Sequence, residues 1–129
     1  MPSFKQIFKV VNPDDEAQDS VIGQADVQQR IRNDVENNKV LIYMKGSPDA
    51  PQFGFSAATI DVFNQLGVPY ATRDVLQDPE IRQGVKEFSN WPTVPQIYVD
   101  GKFIGGSDIV IDRHARGELG KIVQDALKE

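Results

Sequence analysis

The chain has 129 residues, 40% of them hydrophobic, and carries 19 acidic against 14 basic side chains for a formal charge of -5. That length fits one ordinary domain, and the acidic balance argues against a general nucleic-acid binder, which presents a basic face. With no cysteine, disulfides, thiolate metal sites and thiol nucleophiles are excluded, and no apolar run approaches the ~20 residues that span a bilayer.

Residues 1–23 are expected to form an N-terminal arm or linker, followed by a domain over 24–129. Phe4, Ile7, Phe8 and Val11 fall at helical spacing, but Asn12-Pro13-Asp14-Asp15-Glu16 breaks the pattern. The segment reads either as a mobile arm with an acidic linker or as a piece that docks its apolar residues on the domain or a partner. It lacks both the apolar core of a secretory signal and the Arg-rich composition of a transit peptide. The default address is therefore cytoplasmic, with a mature organelle form as the alternative.

Between Gln24 and Asn37, Val27, Ile31 and Val35 recur every four residues and predict a helix with one packing face. Lys39–Met44 is a short apolar, β-branched run suited to a central strand covered on both faces. The loop 45–52 contains Gly46, Pro48 and Pro51 and is expected to continue neither element. A helix over Gly54–Leu66 follows, with Gly54 at its start, Phe55 in the core and Gly67 as its stop. Val68–Val75 reads as a second strand, completing a βαβ unit that is right-handed by rule.

Asp78-Pro79-Glu80 is a strong helix start, with a capping Asp, Pro in the first turn and an acid behind it. That helix carries Ile81, Val85 and Phe88 and ends by Ser89-Asn90. Trp91–Pro95 should be extended, since each proline restricts its predecessor. Gln96–Val99 and Lys102–Ile104 flank Asp100-Gly101, the signature of a type I′ hairpin. Gly105-Gly106-Ser107-Asp108 opens a last helical region, interrupted at Gly117, whose final helix buries Leu119, Ile122, Val123 and Leu127. His114 lies in a polar helical stretch and reads as a solvated side chain. A βαβ unit followed by a ββα unit gives an α/β, thioredoxin-like fold: a four-stranded mixed sheet flanked by helices on both faces.

Lys45-Gly46, Pro51, Phe53-Gly54-Phe55-Ser56, Trp91-Pro92-Thr93-Val94-Pro95 and Gly105-Gly106-Ser107-Asp108 occur in this order and spacing. Over about residues 24–129 the chain thereby resembles the monothiol glutaredoxins, whose motif at the place of Phe53–Ser56 is Cys-Gly-Phe-Ser. The resemblance implies a glutathione groove. Lys45 and Arg82 match the cations for the glycine carboxylate, a point charge and a planar fork. Thr93 and Val94 precede a cis proline, Pro95, which exposes the Val94 backbone for strand-like pairing with the cysteinyl residue. Gly106, Ser107 and Asp108 open a helix whose N–H groups suit the γ-glutamyl carboxylate, with the Asp108 carboxylate for its amine. Plainer roles stand beside these: a strand-end charge for Lys45, a solvated helix face for Arg82, and helix caps for Ser107 and Asp108.

The same resemblance implies a cysteine at position 53, where this chain has Phe53. In the family that thiolate exchanges with glutathione mixed disulfides. It also supplies one ligand to a [2Fe–2S] cluster shared by two protomers, with two glutathione thiolates completing the set. A phenyl ring does neither, so no catalytic residue and no metal ligand is assigned. Ser56 is no rescue, because a hydroxyl without a base is a poor nucleophile and a poor iron–sulfur ligand. The expectation is a glutaredoxin-like binding protein with a retained groove, taking glutathione, a glutathionylated protein or an iron–sulfur assembly protein as partner. Two further readings stay open. The chain is a variant, natural or engineered, of an active, cluster-carrying, homodimeric parent that serves iron–sulfur protein assembly and redox homeostasis. Or it is a purely structural domain whose groove Phe53 closes. Neither nucleic acid nor membrane is implied as a partner.

Overall fold

Five consecutive buried residues, Val40–Met44, form strand β1 at the middle of the sheet. The computed structural model describes residues 26–128; the expected arm over 1–23 and the first two residues of the expected first helix lie outside them. Helix α1 occupies residues 26–37. After β1 come β2 (Gly46–Ser47), β3 (Ala50–Pro51), α2 (Gly54–Leu66), β4 (Ala71–Asp74), α3 (Pro79–Ser89), β5 (Gln96–Val99), β6 (Lys102–Gly105), α4 (Ser107–Ala115) and α5 (Glu118–Leu127).

The main sheet has the order β4-β1-β5-β6. β1 runs parallel to β4 and antiparallel to β5, and β5 and β6 form the hairpin. Because side chains alternate along a strand, β1 feeds two cores. Val40, Ile42 and Met44 pack with Ile60 and Phe63 of α2, Val110 of α4 and Leu119 and Val123 of α5. Leu41 and Tyr43 pack on the other side with Val27, Ile31 and Val35 of α1 and Ile81 and Val85 of α3. This is the mixed, doubly covered thioredoxin-like sheet that the pattern predicts.

The local signals act as their chemistry requires. The Asp78 carboxylate accepts the backbone N–H of Glu80 at 3.1 Å and of Ile81 at 3.3 Å, capping α3. Asp100 and Gly101 both take positive φ, 53° and 79°, as a type I′ turn demands.

Two expectations are corrected, for the second strand and for Phe55. The loop 45–52 continues neither neighbouring element, as expected, and pairs with itself as β2 and β3, with Gly46 opposite Pro51 and Ser47 opposite Ala50. Gly46 makes this fold-back possible: its φ is +88°, and a Cβ there would stand 2.5 Å from the Ala50 carbonyl oxygen. The second strand covers only Ala71–Asp74, since Pro69 has no N–H to give a ladder. Phe55 is not in the core but 53% exposed. It stands in the first turn of α2, ahead of the buried face that begins at Ser56.

Candidate functional site

The start of α2, the start of α4, one side of α3 and the segment 91–95 converge on a cavity of about 550 Å3. Its floor is set by the turn leaving β1. The Gly46 N–H donates to Asp74 Oδ1 at 2.8 Å, and the Lys45 N–H donates to the buried Ser56 Oγ at 3.2 Å. Asp74 also accepts the Leu76 N–H at 2.9 Å. Desolvation pulls the Asp74 carboxyl upward. The hydrogen bonds from Gly46, Leu76 and the Gln77 side chain outweigh it and hold the group below its ordinary value.

Phe53 is the N-cap residue of α2 in extended conformation, so no side-chain hydrogen bond caps this helix and no acid lies in its first turn. Its ring lines the cavity without filling it. The Lys45 Nζ lies over that ring, 4.4 Å from its centroid, and Phe55 meets it edge-on at 5.2 Å. A cation over an aromatic face at a partly exposed site gains roughly 0.5–1 kcal/mol.

Arg82 and Lys86 stand one turn apart on α3 and line the same cavity. The Arg82 Nε is buried without a hydrogen-bond partner. Among the described residues, Lys45, Arg82 and Lys86 have no carboxylate partner. These three cations against the single Asp108 carboxylate make the lining electropositive.

Segment 91–95 also lines the cavity, with a cis peptide between Val94 and Pro95. Gln96 holds its shape. Fully buried at the start of β5, it donates from Nε2 to the carbonyls of Trp91 at 3.1 Å and Thr93 at 3.2 Å. Its Oε1 accepts the Tyr98 hydroxyl at 3.1 Å. Burial pushes Tyr98 up to about 12 and raises Tyr43, whose hydroxyl has no partner, still further above its ordinary value. Tyr98 also touches Phe103 at 5.4 Å, and Phe103 touches Trp91 at 5.8 Å, so an aromatic chain links the core to the cavity rim.

Helix α4 begins without a side-chain cap; Gly106 is its N-cap residue, Ser107 is buried and Asp108 is exposed. The capping role weighed for Ser107 and Asp108 is therefore not what they do. A Cβ on Gly106 would stand 3.2 Å from the Trp91 Nε1, so a side chain there would crowd the wall. Every residue the resemblance implies, Lys45, Arg82, Thr93, Val94, Gly106, Ser107 and Asp108, lines this one cavity. Sequence reasoning missed Lys86, legible only as the position one turn after Arg82, and missed Phe55, Trp91 and Ile109 as lining and Gln96 as support. His114 belongs elsewhere, with Nε2 3.1 Å from Gln65 Oε1.

A [2Fe–2S] cluster does not fit this lining. Such clusters take thiolate donors, and the site offers three cations, a phenyl ring at position 53 and one carboxylate.

The glutaredoxin family pattern matches residues 40–104. An uncharacterized monothiol glutaredoxin, ycf64-like, of Synechocystis is 53% identical over 98 residues, covering 76% of this chain and 92% of that protein. The chain belongs to the glutaredoxin family. Within it, this glutaredoxin sides with the monothiol members, with Phe53 where they carry the active-site cysteine. The mitochondrial monothiol glutaredoxin-S15 of Arabidopsis thaliana is 50% identical over 95 residues, 74% of this chain and 56% of that protein. Among solved structures, reduced apo GrxS14 of poplar is similar with a TM-score of 0.71 and 38% identity, covering 80% of this chain and 94% of that one.

Proposed function

We propose that this glutaredoxin binds glutathione, free or attached to a protein, and neither exchanges thiols nor holds an iron–sulfur cluster. The observation that carries the reading is the arrangement of charge along the cavity. Lys45, Arg82 and Lys86, with the unpartnered Arg82 Nε, share its lining with the uncapped start of α4 and Asp108. That pattern complements a short ligand with a carboxylate at each end and an ammonium beside one of them. Val94 before the cis proline offers backbone groups to an extended peptide. Titration calorimetry tests the reading: saturable heat with reduced glutathione is expected, weakened in Lys45→Ala and Arg82→Ala proteins that remain folded by circular dichroism. The setting proposed is cytoplasmic or, as for the Arabidopsis relative, an organelle; among the described residues no helix is long and apolar enough to cross a membrane.

A second reading, a variant of a thiol-active, cluster-carrying parent, is favoured by one observation. Position 53 still sits at an uncapped helix start beside Lys45, surroundings that favour an anion. A Phe53→Cys protein is then expected to carry a thiol with pKa below the ordinary ~8.5, read from the pH dependence of alkylation. It should also give a visible cluster spectrum after reconstitution with iron, sulfide and glutathione. An ordinary thiol and a colourless product would sink that reading.

A further inference from the structure

Where the family places a thiolate, this chain places an apolar surface. Phe53 and Phe55 meet edge-on at 5.2 Å, and both line the cavity together with Trp91, Pro92 and Ile109. Phe55 is 53% exposed, Ile109 37% and Trp91 36%, so this surface is open to a ligand. The Lys45 ammonium is already seated over the Phe53 ring at 4.4 Å. Its proximity to the carboxylate end is kept, while the place facing the ligand's sulfur is lined by carbon.

We infer that the preferred ligand is a glutathione thioether, a tripeptide whose sulfur carries an apolar alkyl or aryl group. The inference rests on the glutathione reading, in which the ligand's central residue lies along Val94 and its sulfur faces position 53. The carboxylates then choose the cations and the start of α4, as for free glutathione. The S-substituent lies on Phe53 and Phe55 toward Ile109, where exposed apolar area is removed from water. A bare thiol leaves that area wet. Binding is non-covalent: the carbon–sulfur bond is neither made nor broken, and no proton or electron is transferred.

Reduced glutathione, S-methylglutathione and S-hexylglutathione, titrated into the native protein, test this. The hexyl compound is expected to bind at least about tenfold more tightly than glutathione, since even partial burial of a six-carbon chain amounts to that factor, with the methyl compound between them. In Phe55→Ala and Phe53→Ala proteins the ratio of hexyl to glutathione affinity should fall below about threefold. Equal or weaker binding of the hexyl compound overturns the inference and leaves the glutathione reading standing. So does a hexyl preference that survives both substitutions, because the chain then lies elsewhere. Absence of heat with all three ligands at millimolar concentration, the protein being folded, overturns both.

Discussion

Replacing Gln96 by Met keeps the length of a buried side chain and removes its amide. In the native protein that amide donates to the carbonyls of Trp91 and Thr93 and accepts from the Tyr98 hydroxyl. Trp91 and Thr93 are exposed residues, so their carbonyls regain water and each lost bond costs only about 0.5–1 kcal/mol. Tyr98 is 1% exposed and keeps the Ser89 side chain as a hydrogen-bond partner, so losing Gln96 costs its hydroxyl about 0.5–1.5 kcal/mol. Gln96→Met should therefore lose about 1.5–3.5 kcal/mol of stability in urea unfolding. The partner substitution decides whether this accounting is right. Tyr98→Phe in the native background should destabilise, because Gln96 Oε1 loses its donor. In the Gln96→Met background the loss should be smaller, because the amide partner is already gone and only the Ser89 contact remains to be lost. Four proteins with one unfolding slope give the cycle. Additivity within about 0.5 kcal/mol would refute the claim that the buried amide and phenol act as a pair.

Asp74→Asn tests the support of the Lys45–Gly46 turn. The Asp74 carboxyl is held below its ordinary value when folded, so its stabilisation is fully present above the unfolded value near ~3.9 and is lost as pH falls through the folded one. The variant should show a shallower loss of stability with acid over that window, measured as unfolding midpoints from about pH 6 downward; an unchanged acid limb would contradict it. Gly46→Ala should destabilise by more than the ~1 kcal/mol of an ordinary left-handed alanine, because its Cβ meets the Ala50 carbonyl at 2.5 Å, and should weaken glutathione binding by displacing Lys45. Asp78→Ala should cost about 1 kcal/mol through the lost cap of α3, with a smaller loss of affinity through Arg82.

Elements governed by nearest neighbours were legible in the sequence. The all-apolar β1, the Asp78 cap, the Asp100-Gly101 turn and the proline pair around Val94 each carry their conformation in a few adjacent residues. The second hairpin was not, because it depends on Asp74, 28 residues from Gly46 along the chain. Gln96 is a polar residue at the start of a strand, and its burial follows only once segment 91–95 folds over it. Phe55 looked like core because helical spacing assigns a face without saying where the covering elements stop. The groove residues were reached through the order of motifs, and their common cavity came from the fold. What neither motif nor periodicity disclosed is that Phe53 leaves this cavity open, drawing Lys45 onto its ring.

An electropositive groove persists where the thiol is gone. Calorimetric titration of the native protein with reduced glutathione, beside the Arg82→Ala variant, tests it most directly. A charge-assisted hydrogen bond contributes about 1.5–3 kcal/mol, so binding is expected to be saturable and to weaken roughly 10- to 100-fold without Arg82. Heat that is absent at millimolar glutathione, or an affinity indifferent to Arg82, would contradict it.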